Sequence, residues 1–221
     1  MDEGGQGNMR LIWWAAIVAG ASYSWAAWMD WSGPMVTVWK GLGVGLLALW
    51  AATQARSTDG VLITIALLLG ATGDVLLDAV GLSVGALAFL AGHVVAIILY
   101  LRNHRRKLSP SQRMLGRILP IATVLIAVSL VWDAGMVMAV GIYAAALGIM
   151  ASTAWMSRFP RYRVGIGAVL FVLSDLLIFS RAGLLADSYV PTLLVWPLYF
   201  AGQLMIATGV VETLAKEERR A

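Results

Sequence analysis

The sequence predicts an all-α membrane protein: a bundle of eight transmembrane helices with both termini on the cytoplasmic side. Three observations carry that reading. Sixty per cent of the 221 residues are hydrophobic and only 13% are charged, whereas soluble domains run near half and a quarter. Apolar runs of about 17–22 residues, enough to cross a bilayer, follow one another along the chain. The loops between them are short, and their basic residues gather on one side.

The spans fall in order at 11–29, 34–52, 60–79, 82–101, 115–131, 134–156, 164–181 and 189–211. Trp13, Trp14, Trp28, Trp31, Trp132, Trp155 and Trp196 stand near span ends, where amphipathic rings favour the interface. Arg10 precedes the first span and Arg56 separates the second from the third. Arg102, Arg105, Arg106, Lys107, Arg113 and Arg117 lie between the fourth and fifth. Arg158, Arg161 and Arg163 lie between the sixth and seventh, and Lys216, Arg219 and Arg220 follow the eighth. Those are 14 of the 16 basic residues, all on one face. The other face has Arg181, with Asp30, Asp78, Asp133 and Asp187 near its span ends. Basic loops stay in the cytoplasm, so the chain is expected to be integral and multi-pass, in the inner membrane if bacterial. A seven-span count scatters these charges over both faces.

Residues 1–221 leave no room for a second domain. The net charge of +4 follows from the loop arginines, so no nucleic-acid partner is expected. The absence of cysteine excludes disulfides, a thiolate metal site and a cysteine nucleophile. With only two histidines, no metal site is expected, and no cofactor. The opening MDEGGQGNMR is acidic and glycine-rich, unlike the basic start of a cleaved signal peptide. Oligomeric state is not legible. A weak internal repeat is visible: Gly73-Asp74-Val75-Leu76-Leu77 against Ser174-Asp175-Leu176-Leu177-Ile178, and Phe89–His93 against Tyr199–Gln203. Four spans plus four would make it a parallel repeat.

Asp74 and Asp175 are the most informative residues. Each sits deep in an apolar run, where keeping a carboxylate ionised costs several kcal/mol or more. A rise of about 1.5 Å per residue puts Asp74 roughly 21 Å, and Asp175 roughly 16 Å, from the cytoplasmic ends of their spans. Lys40, His93 and Gln203 fall at similar depth, which suggests one buried polar pocket on five helices. Bland alternatives stand beside each. Lys40 can snorkel outward, His93 can be a core histidine, and Asp78, one turn beyond Asp74, can be solvated. Ser174, Tyr199 and Gln203 can be hydrogen-bond glue between helices. A purely structural role is hardest to support for the two deep aspartates. Gly70, Gly73, Gly165 and Gly167 permit close helix approach nearby. Two carboxyl groups held close in a dry site titrate as a unit, one neutral and one charged, which provides an acid and a base together. Spacing alone does not establish that they meet.

Leu67–Leu77 (LLLGATGDVLL), Gly85–His93 (GALAFLAGH), Gly167–Leu177 (GAVLFVLSDLL) and Tyr199–Ala207 (YFAGQLMIA) resemble the YhhN-like family, which includes the lysoplasmalogenases of animal cells. Lys40 falls where that family has a lysine in its second span, although Gly41 replaces the usual proline after it. The resemblance implies an eight-span hydrolase that cleaves the vinyl ether bond of lysoplasmalogens into a fatty aldehyde and a glycerophospho-base. By position it makes Asp74 and Asp175 the catalytic pair, with Lys40, Asp78, His93, Ser174, Tyr199 and Gln203 around the substrate. The implied partner is a lysophospholipid drawn from the membrane.

The chemistry suits these residues. A vinyl ether is hydrolysed by proton delivery to its β-carbon, giving an oxocarbenium ion. A neutral Asp donates that proton, and an ionised one stabilises the cation and activates water, much as paired carboxyls do in glycosidases. Asp175, with the more apolar flanks, is the favoured acid. One alternative is a proton-coupled small-molecule or lipid transporter using the same aspartates, although the spans show few Gly/Pro interruptions beyond Pro197. Another is an intramembrane aspartyl protease, but Ala71-Thr72-Gly73-Asp74 lacks the first glycine of the Gly-x-Gly-Asp pattern.

Overall fold

The computed structural model describes residues 3–220, and among these all regular structure is helical. There are eight α-helices: α1 (Glu3–Trp28), α2 (Pro34–Ala52), α3 (Thr58–Ala79), α4 (Leu82–Arg102), α5 (Pro110–Leu130), α6 (Val137–Met156), α7 (Ile166–Ser180) and α8 (Val190–Glu218). Among the described residues, seven helical segments are long and apolar enough to cross a membrane, the sixth joining α7 to the turn before it. Such a chain is a multi-pass integral membrane protein. α1 is the helix outside that set. Its stretch 11–28 holds four tryptophans, a tyrosine and two serines, which lower its hydropathy.

Local chemistry sets most helix ends. Pro34 and Pro110 open α2 and α5, where a missing N–H costs nothing. Ser57 accepts from the Gly60 N–H at the start of α3. Ser109 and Gln112 form a reciprocal capping box at α5. Four ends differ from the sequence expectation by three residues or more. α1 begins at Glu3 instead of 11, and α5 at Pro110 instead of 115, because the capping box reaches past the basic residues. α6 begins at Val137, because Trp132–Ala134 form a separate 3₁₀ turn that ends on left-handed Gly135. α8 runs on to Glu218 rather than 211.

The interior prolines do not break their helices. Pro120 leaves the Gly116 carbonyl without its usual N–H partner four residues on; the Ser152 hydroxyl of α6 donates to that carbonyl at 2.6 Å. Pro197 does the same to the Leu193 carbonyl, and the Trp28 indole N–H of α1 donates to it at 3.0 Å. Helices in lipid tolerate proline when a neighbour satisfies the freed group. Pro197, read from sequence as the clearest interruption, therefore lies inside a continuous α8.

α3 packs against α2 and α4, α5 against α6, and α7 against α8, while α4–α6 and α1–α8 contacts close the bundle. Backbones approach closely at the α7–α8 seam: a Cβ on Gly167 would stand 2.7 Å from the Gly202 carbonyl oxygen, and one on Gly202 2.6 Å from that of Gly167. At the end carrying the basic loops, Asp59 accepts from Arg102 at 2.9 Å and from Asn103 at 2.8 Å. Arg158 donates to Asn103 at 2.5 Å and pairs with Glu217. That clasp ties α3, α4 and α8 together.

Candidate functional site

At the end opposite the basic loops, the helices diverge around a cavity of about 450 Å³. Its wall is mostly apolar, with Leu77, Leu87, Val140, Ile142 and Phe179 among its members, and its polar members are few: Lys40, Asp74, Ser83, Tyr143, Ser174, Asp175 and Tyr199. Leu87 on α4 and Ile142 on α6 line the cavity while remaining 64% and 60% exposed. The cavity is therefore open on the side where α4 and α6 border it.

Asp74 on α3 and Asp175 on α7 share this cavity. They are 2% and 6% exposed. Each carboxyl accepts one tyrosine hydroxyl: Tyr199 donates to Asp74 Oδ2 at 2.8 Å, and Tyr143 donates to Asp175 Oδ2 at 2.7 Å. Behind each tyrosine stands a further polar group. Gln203 Nε2 donates to the Tyr199 hydroxyl at 3.4 Å, and His93 Nε2 lies 3.2 Å from the Tyr143 hydroxyl. Two carboxyl–tyrosine arms thus line the same cavity. Buried polar groups need such partners, and hydrogen bonds in a low-dielectric interior also fix orientation.

An aromatic layer runs between the arms. Phe171 lies edge-on to Tyr199 at 5.1 Å and to His93 at 5.0 Å, and Phe89 is edge-on to Tyr199 at 5.7 Å. These T-shaped pairs lock the rings. Glycines make the space: a Cβ on Gly73 would meet the Phe89 ring at 2.7 Å, and one on Gly70 would meet Gln203 Nε2 at 2.9 Å. The close approach expected at Gly70, Gly73 and Gly167 is present. Gly165 instead faces Trp155, away from the cavity.

Five other residues singled out in the sequence occupy different places. Lys40 reaches the cavity and donates to Asp78 Oδ1 at 2.6 Å, with side-chain exposures of 15% and 33%. The pair marks the outer rim, and Asp78 serves it rather than the cavity wall. Ser174 lines the wall but donates to the Val195 carbonyl at 2.9 Å, tying α7 to α8. His93 and Gln203 are not on the wall; they line a second, smaller cavity beneath the aromatic layer. Tyr143 is the residue that sequence reading missed. It lies in MVMAVGIYAAALGIM with no polar neighbour, and a single tyrosine in an apolar run reads as core.

A family model described as the YhhN family matches residues 35–210. No curated protein and no solved structure matches the chain. The match takes in α2 through most of α8, and with them both aspartates, both tyrosines, Lys40 and the cavity they surround. The chain belongs to the YhhN family.

Proposed function

We propose that the protein is a membrane hydrolase that cleaves the vinyl ether bond of 1-alkenyl lysophospholipids. The observation that carries the reading is a pair of buried carboxyls, each held by a tyrosine hydroxyl, on the wall of one mostly apolar cavity that is open beside α4 and α6. A chain-bearing substrate suits that opening. The phosphate of its headgroup would meet Lys40 at the rim, and the basic loops would face the cytoplasm.

The reaction closes without an external acid. The Asp175 carboxyl gives its proton to the β-carbon, the C=C π pair forming the new C–H bond and leaving an oxocarbenium ion. The Asp74 carboxylate faces that cation and takes a proton from the water whose oxygen bonds to the cationic carbon, giving a hemiacetal. In the second half, Asp175, now ionised, takes the hemiacetal hydroxyl proton. Asp74 returns its proton to the glycerol oxygen as the C–O bond breaks. Aldehyde and glycerophospho-base leave, and both carboxyls end in their starting states. Proton transfers of this kind contribute about 10²–10⁴-fold each. The tyrosines hold the carboxyls on target throughout.

The test is to incubate the purified protein with 1-alkenyl lysophosphatidylethanolamine and measure released aldehyde, then repeat with Asp74→Asn and Asp175→Asn. Release by the parent and not by either variant is expected. Turnover that survives both substitutions would overturn the mechanism. Uptake of substrate into vesicles without conversion would favour transport instead.

A further inference from the structure

Hydrolysis consumes one water per turnover, and a lipid-filled cavity with a mostly apolar wall has little room for it. Beneath the aromatic layer lies a second cavity of about 30 Å³. Phe89 belongs to the walls of both. The lower one is lined by apolar residues of α3, α4, α6, α7 and α8, except for three polar side chains: His93, Tyr100 and Gln203. All three are buried, Tyr100 completely.

Each has unused hydrogen-bonding capacity. The Tyr100 hydroxyl has no partner among the described residues. His93 uses Nε2 toward Tyr143, and Gln203 uses Nε2 toward Tyr199. The remaining ring nitrogen of His93 and the amide oxygen of Gln203 make no hydrogen bond among the described residues. Tyr100 and His93 sit seven residues apart, on one face of α4, and helical side chains lean toward the N-terminus of their helix. The Tyr100 ring therefore rises toward His93. A hole of this size has room for roughly two waters at about 10–15 Å³ each, provided two to four polar groups hold them.

We infer that this lower cavity is a buried water site held by His93, Tyr100 and Gln203. It is the reservoir from which water reaches the carboxyl face of the upper cavity. Its purpose rests on the hydrolase reading, but its existence does not. The two carboxyl–tyrosine arms then end on the same bound water, one through His93 and the other through Gln203. His93, Tyr100 and Gln203 act as positioning residues for water.

X-ray hydroxyl-radical labelling in lipid nanodiscs tests the site without turnover, because radicals form where water is bound. Phe171 lines the lower cavity and Phe200 lines neither cavity, and both are nearly as buried. Phe171 and Tyr100 are expected to be oxidised several-fold faster than Phe200 and Tyr23 respectively. Ala96→Leu should fill the space and bring Phe171 and Tyr100 down to the control rates. Ala66→Val, a smaller filling of the same wall, should lower them partway and serves if the leucine variant does not fold. Equal rates for the paired residues in the parent protein would overturn the inference, as would rates unchanged by filling. Labelling without aldehyde release would keep the water site and reject the hydrolase.

Discussion

The two arms that hold the carboxyls are built differently. The Asp74 arm is compact: Tyr199 and Gln203 stand four residues apart on α8, so one helix presents both. The Asp175 arm is distributed, with the aspartate on α7, the tyrosine on α6 and the histidine on α4. A compact arm is fixed by helix geometry, since residues four apart share a face. A distributed arm depends on three helices keeping their mutual positions. The lesson is that equal chemistry at two carboxyls does not imply equal sensitivity to packing.

The largest effects should come from the carboxyls themselves. Asp74→Asn and Asp175→Asn are each expected to lower aldehyde release by about 10³-fold or more, within the usual range for losing a general acid or base. A much smaller loss at one would show that the arms have unequal roles. Next, Tyr143→Phe and Tyr199→Phe keep the rings but remove the hydroxyls. Each should reduce kcat by about 10-fold, the factor that corresponds to ~1.4 kcal/mol, near the top of the range for one net hydrogen bond. Kinetics of the two variants side by side would show which arm tolerates the loss.

Gly70→Ala sharpens the contrast structurally. Its new methyl pushes on Gln203 Nε2 and the Tyr199 hydroxyl, so it should disturb the Asp74 arm and spare the other. A several-fold loss of kcat is expected, removed in the background of Tyr199→Phe, as a double-mutant cycle would reveal. The smallest effect belongs to the scaffold. Ser152→Ala orphans the carbonyl freed by Pro120 and should cost about 1–3 kcal/mol of stability, read as a lower midpoint in thermal unfolding. Turnover per folded molecule should stay unchanged.

The sequence carried the fold's helices well, because long apolar runs with basic gaps have few other solutions. It singled out each member of the compact arm, since Asp74, Tyr199 and Gln203 all stand out against apolar surroundings, but not the hydrogen bonds that join them. It did not carry the distributed arm. Nothing in the spacing of Tyr143 ties it to Asp175 or His93, which meet only through the packing of three helices. Lys40 and Asp78 were each legible as polar residues near one end, but their pairing across α2 and α3 was not. The proline positions misled in the opposite direction. A break visible at Pro197 disappears once Trp28, far away in the chain, donates to the exposed carbonyl.

The length of the last helix has a practical outcome. Its 29 residues extend roughly 43 Å at 1.5 Å each, whereas the oily interior of a bilayer is about 30 Å thick. About two turns must project beyond it, braced where Glu212 meets Arg163 and Glu217 meets Arg158. Splicing a helical carrier protein onto Glu218 in phase would give this small, nearly loop-free molecule a rigid soluble handle. Particle alignment in electron cryomicroscopy could then proceed without any antibody.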